Sequence, residues 1–179
     1  WDPNDDVQFY LANGGGLHPE KAIIDAGFLE LVRFGVRPAL DAAIVDSVPV
    51  VDAQIRVDLP GIGPAFFRYT GDRYNYDDLT GQQTAGMLWP FFTGERGHYE
   101  LQRAREQGLA ASKIDGITRF YVQAMEKMAT PTGMLPEQVW DRGPRAGLAT
   151  GSATPLGWTH GEYLKILRSR QDRAVFDHL

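Results

Sequence analysis

The loop Gly133-Met134-Leu135-Pro136-Glu137-Gln138-Val139-Trp140-Asp141 sets a carboxylate beside an amide, with a proline before and a tryptophan after. Most loop glutamates are solvated surface groups. Here Pro136 restricts the backbone before it and Trp140 demands a packing partner, so Glu137 is not free to swing. A fixed carboxylate beside a polar amide is what general-base activation of water requires. By itself the signal is weak.

A second concentration of chemistry lies upstream. Phe66, Phe67, Tyr69, Tyr74, Tyr76, Trp89, Phe91 and Phe92 are interleaved with Arg68, Asp72, Arg73, Asn75, Asp77 and Asp78. Aromatic faces stack on the C–H groups of a pyranose, and planar charged groups between them give its hydroxyls directional hydrogen bonds. Single aromatics are more often core than ligand platforms, so the cluster is more informative than any member.

Other candidate chemistries fall away. His18, His98, His160 and His178 include no i, i+4 pair of the kind that holds zinc on a helix, and each reads as a structural histidine. Asn13-Gly14-Gly15-Gly16 lacks the Lys-Ser/Thr of a phosphate loop and reads as a turn. Ser152, in Gly151-Ser152-Ala153-Thr154, lacks the nucleophile elbow of a serine hydrolase. With no cysteine in the chain, disulfides, thiolate nucleophiles and Cys-ligated metals are excluded. No dense Asp/Asn loop asks for calcium, and no cofactor is implied.

The elements that must position these groups are helical by pattern. The spacing predicts helices over about 24–36 (Phe28, Leu31, Val32 and Val36), 42–57 (Ile44, Val48, Val51 and Ile55, with Pro49 inside) and 84–108, where Pro90 offsets the first turns. A fourth runs from about 112 to 128, with Ser112 as cap and Ile117, Phe120, Tyr121, Ala124 and Met128 as its stripe. A fifth runs from about 154 to 167, with Thr154 as cap, Pro155 in its first turn, and Leu156, Tyr163, Leu164 and Leu167 apolar. Residues 58–83 and 129–153 read as long loops, which on a rigid helical scaffold commonly carry function. The fold class expected is all-α.

The chain of 179 residues is 43% hydrophobic and 23% charged, ordinary values for a globular domain or a piece of one. No run approaches the ~18 apolar residues of a membrane helix, so no membrane partner is expected. The net charge of −5 and scattered Lys/Arg argue against nucleic acid. The chain opens on Trp1 with neither initiator Met nor signal peptide, so a longer parent polypeptide is expected.

Four motifs in order carry a resemblance: Gly27-Phe28-Leu29-Glu30-Leu31-Val32-Arg33, the stretch from Trp89-Pro90-Phe91-Phe92 through Thr93-Gly94-Glu95-Arg96-Gly97-His98-Tyr99-Glu100-Leu101, the Met134–Asp141 loop, and Gly151-Ser152-Ala153-Thr154-Pro155-Leu156. Together they resemble glycoside hydrolase family 15, of the bacterial glucoamylase and glucodextranase type, over nearly the whole chain. The resemblance implies an (α/α)6 barrel of six outer and six inner helices, of which this chain would be the second half. It also implies removal of single glucose units from non-reducing ends of α-glucans with inversion. Glu137 matches the family's general base, Arg68 the arginine that binds glucose hydroxyls, and Trp89 a wall of the pocket. Tyr69 beside Arg68, and Gln138 and Trp140 beside the base, complete the expected substrate-binding set. The stretch from Gly94 to Leu101 matches inner-helix scaffold, with no catalytic role for Glu95.

The family's general acid lies on an upstream helix in the first half of the barrel. The expected partners are therefore an α-glucan or oligosaccharide and the missing N-terminal half of the same polypeptide, whose absence would leave apolar helix faces exposed. An inverting hydrolase needs an acid and a base about 6.5–9.5 Å apart, so this chain alone is expected to be inactive. Relatives of this kind point to an extracellular or periplasmic bacterial protein. The rival readings are a glucodextranase or isomaltose hydrolase acting on α-1,6 linkages, a non-catalytic carbohydrate-binding fragment, and a helical scaffold for protein contacts.

Overall fold

The computed structural model describes residues 7–76 and 80–179, so Asp77 and Asp78 of the acidic-aromatic segment lie outside the described residues. The chain is mainly helical, as expected, but three two-stranded antiparallel hairpins are set between the helices. β1 (Gln8–Leu11) pairs with β2 (Gly16–Pro19) around the glycine-rich turn, where Asn13 and Gly14 take positive φ as such turns require.

The helix expected over 24–36 shrinks to α1 (Leu29–Arg33). Ile24 cannot join it, because its N–H donates to Thr70 Oγ1 and its carbonyl accepts Thr70 N–H. At the other end Gly35 turns to φ +75, which ends the helix. α2 (Ala42–Ile55) is capped by Asp41, whose carboxylate accepts Ala43 N–H, and buries the expected Ile44, Val48, Val51 and Ile55. Pro49 lies on its exposed side and does not break it.

Two of the hairpins occupy the stretch read as one long loop. β3 (Arg56–Leu59) pairs with β4 (Gly63–Phe66), and β5 (Asn75–Tyr76) with β6 (Gln83–Thr84). Strands of four and two residues are too short for alternation to show in sequence. Thr84 therefore belongs to a strand, and α3 (Pro90–Glu106) begins at Pro90, which has no N–H to leave unpaired at a first helical position.

α4 (Ala111–Lys127) starts one residue earlier than expected. Ala110 is its N-cap, so Ser112 lies inside the helix and does not cap it. Of its expected stripe, Tyr121, Ala124 and Met128 are buried, whereas Phe120 is exposed. α5 (Gly157–Asp172) starts beyond Pro155, so Thr154 and Pro155 are neither its cap nor its first turn. Its buried face is Thr159, Glu162, Ile166 and Ser169; Leu164, expected inside, is 65% exposed. The inversion has a physical cause, because Glu162 and Ser169 face buried Arg33 and His98 and are hydrogen-bonded there.

α3 is the central helix, packed against α1, α4 and α5. Two glycines permit the approach. A Cβ on Gly94 would lie 2.6 Å from Glu162 Cγ, and one on Gly97 would lie 2.9 Å from Tyr121 Cβ. Leu29, Val32, Ile44, Val48 and Tyr99 join α1, α2 and α3 in one core cluster; Tyr121, Val122, Met125, Leu135 and Ile166 join α4, α5 and the base loop in another. Leu31, Phe34, Val36, Leu40, Val45 and Val50 of the α1–α2 region are exposed.

Candidate active site

Glu137 lies in the middle of an irregular three-strand ribbon. On one side Leu88 and Val139 exchange both main-chain hydrogen bonds, at 3.1 and 2.8 Å. On the other, Glu137 N–H donates to Ala153 O at 2.9 Å and Thr150 N–H to Gln138 O at 3.0 Å. Ser152 Oγ accepts Gln138 N–H and the Thr150 hydroxyl, so this serine is a structural acceptor. His160 Nε2 accepts Leu135 N–H at 2.9 Å, which ties the loop to α5. Pairing on both sides over-determines the loop backbone, and Glu137 is only 7% exposed. Its Oε2 accepts Ala153 N–H over a long 3.4 Å.

The carboxylate faces a cavity of about 430 Å³, within the size range of small-ligand sites. The cavity is lined by Arg68, Tyr74, Trp89, Phe91, Phe92, Glu137 and Trp158. Trp89 is placed by its N–H bond to Phe66 O at 2.8 Å and by Pro90 starting α3 behind it. Tyr74 stacks on Trp89 at 6.3 Å between ring centroids, and Phe92 continues the aromatic wall at 6.4 Å from Trp89.

Arg68 is the cation of the site. Its Nε and Nη2 donate to the two oxygens of Asp72 at 2.8 Å each. Its Cζ lies 5.0 Å from the Tyr74 ring and 4.9 Å from the Trp89 ring, within the reach of cation–π attraction. The hydrogen bonds to Asp72 hold the guanidinium above its ordinary pKa, with the negative charge of Glu137 among the smaller contributions. The absence of a side chain at Gly86 makes room for Asp72, since a Cβ there would meet its carboxylate at 2.6 Å. The arginine presents its remaining N–H groups to the cavity while its partner fixes the plane.

Glu137, Arg68 and Trp89 are thus brought together, as expected. The other expected contacts are placed elsewhere. Tyr69 lies beside Arg68, 5.2 Å from its Cζ, and does not line the cavity. Trp140 is buried under Arg145, whose Cζ is 3.8 Å from its ring, and anchors the loop. Gln138 is 1% exposed and spends its amide on main-chain groups; it borders a smaller depression that Tyr74 and Glu137 also line.

Sequence reasoning missed Trp158, which is 61% exposed and lines the cavity from the first turn of α5. Its signal is a tryptophan on the polar side of a helix that directly follows the Gly151–Leu156 motif. Tyr74, Phe91 and Phe92 stand in the aromatic cluster without an individual assignment. The histidines are structural: His98 lies 2.9 Å from both Ser169 Oγ and Glu162 Oε1, and His178 contacts Arg33 O. No group of metal-ligating side chains occurs among the described residues.

Comparison with known proteins bears on the family and the fold. Residues 3–168 match the family model described as glycosyl hydrolases family 15. The chain is 40% identical to a glucoamylase of Clostridium sp. (strain G0005), over 98% of this chain and 23% of that protein. It superposes on a crystal structure of a bacterial glucoamylase complexed with acarbose with a TM-score of 0.83 and 42% identity, over 99% of this chain and 24% of that one. The chain therefore spans about a quarter of the length of these relatives. A family model that matches almost the whole chain, and relatives at 40% and 42% identity, agree on one assignment: this chain belongs to glycosyl hydrolases family 15.

Proposed function

We propose that the chain is the base-bearing part of a longer exo-acting, inverting α-glucosidase that releases glucose from the non-reducing ends of α-glucans. The observation that carries the reading is a buried, backbone-locked Glu137 facing an aromatic cavity that also holds Arg68. Glu137 takes a proton from a water molecule as the water oxygen bonds to the anomeric carbon. The glycosidic C–O bond breaks, and a general acid delivers a proton to the leaving oxygen. Arg68 holds ring hydroxyls, and Trp89 and Tyr74 supply the stacking face.

Glu137 is the one carboxylate lining the cavity among the described residues, and nearby Asp72 is spent on Arg68. The acid is assigned to the remainder of the polypeptide, a reading supported by the quarter-length match and by the exposed apolar residues of the α1–α2 region. Secretion to the periplasm or medium is part of the same reading and is checked by cell fractionation.

The stereochemistry of the product tests the mechanism. Proton NMR of soluble-starch hydrolysis by the full-length polypeptide is expected to show β-glucose forming first. α-Glucose as the initial product contradicts inversion by an activated water.

A further inference from the structure

The amide of Gln138 ties the base loop to two segments that are themselves joined by the β5–β6 pairing and by Gly86 N–H donating to Asp72 O at 2.8 Å. Its Oε1 accepts Met87 N–H at 2.9 Å, and its Nε2 donates to Tyr74 O at 2.8 Å. These partners are 51 and 64 residues away in sequence. Met87 leads into Trp89, and Tyr74 is the residue stacked on that tryptophan. The side chain is 1% exposed, and a buried amide is tolerated only when its donor and acceptor are met.

Tyr74 is held from its other side as well. Its N–H donates to Asp72 Oδ1 at 2.9 Å, and the same carboxylate grips Arg68. One peptide segment therefore joins the two charges of the cavity: Arg68 to Asp72, Asp72 to Tyr74 N–H, Tyr74 O to Gln138, and Gln138 by the chain to Glu137. We infer that Gln138 is a positioning residue that sets the distance between the base and the Arg68–Tyr74–Trp89 wall, and hence how tightly the cavity holds a sugar. This rests on the glucosidase reading for its consequence, though not for its geometry. It also replaces the expectation that Gln138 touches the substrate.

Two substitutions separate the two bonds. In Gln138→Glu the side chain still accepts Met87 N–H but sets an acceptor against Tyr74 O. In Gln138→Leu both bonds are lost at similar volume. Hydrogen exchange on the full-length polypeptide is expected to show the Tyr74 amide, whose own bond is to Asp72 Oδ1, exchanging roughly tenfold faster in Gln138→Glu as its segment loses the Gln138 donor. Met87 is unchanged in that variant, and both amides exchange faster in Gln138→Leu. The Leu88 amide, bonded to Val139 O, stays protected in both and reports that the ribbon is folded. A Tyr74 amide unmoved in Gln138→Glu, or a Met87 amide unmoved in Gln138→Leu, overturns the inference.

In the full-length polypeptide, Gln138→Glu is expected to raise KM and the acarbose dissociation constant about tenfold, with a smaller change in kcat. Unchanged values for both substitutions overturn the positioning role. If the unsubstituted polypeptide neither binds acarbose nor turns over maltose, the glucosidase reading fails, and the exchange results still decide whether Gln138 sets the wall.

Discussion

Arg68 shows how much of a charged side chain's role is set by its partner. A guanidinium can donate five N–H bonds in a fixed fork, and Asp72 occupies one edge of that fork from a nearly buried position. With that edge pinned, the aromatic faces of Tyr74 and Trp89 decide where the rest points. Asp72→Asn keeps the shape and removes the charge. It is expected to lower the unfolding free energy by about 1–2 kcal/mol and to weaken acarbose binding, as read by urea titration and tryptophan fluorescence. Stability and affinity both unchanged would mean that Arg68 needs no partner. At this scale Glu137, Arg68 and Trp89 were legible because each sits in a distinctive local motif. The actual work of Gln138 was not, since its partners Tyr74 and Met87 are remote in sequence, and an amide next to a base looks the same whether it faces a sugar or the main chain.

Elements built from strong apolar periodicity were read well, and α2 buries the four residues its spacing names. α5 was read poorly because its inner face is polar. Glu162 and Ser169 of α5 meet Arg33 of α1 and His98 of α3, with Glu30, Glu95, Lys165 and Asp177 close by. Arg33 stands among Glu30, Glu95, Glu162 and Asp177. Burial, with the negative charges of Glu30 and Glu162, pushes the Glu95 carboxyl up to about 8 against the opposing pull of Arg33. The folded state holds that proton more tightly than an unfolded glutamate near 4.5. The stability it contributes is therefore full below that value and lost as pH rises through about 8. Burial would also raise Asp177, but hydrogen bonds from Arg33 and Lys165 outweigh it and hold the carboxyl at about 2. Its contribution is present above the ordinary 3.8 and lost as pH falls toward 2. The thermal midpoint is expected to be highest at about pH 4–5 and to decline toward pH 8. Glu95→Gln should flatten the alkaline decline and leave the acid limb in place. An alkaline limb of unchanged slope in that variant would remove Glu95 as its cause.

Across the whole chain, the helices act as a frame and the candidate site lies where hairpin and loop segments meet the start of α3 and α5. The ribbon of residues 87–89, 135–140 and 148–153 was invisible to pattern reading, because it is built from isolated bridges and not from strands with a period. The same ribbon fixes Glu137 in place for the base role proposed for it: two neighbouring segments hold its backbone and the aromatic wall supplies the cavity. The most direct measurement is therefore the kinetics and acarbose affinity of Glu137→Gln in the full-length polypeptide. The account predicts a kcat on maltose lowered by about 10²–10⁴-fold with acarbose affinity largely retained. Turnover within a few-fold of the unsubstituted polypeptide would contradict it.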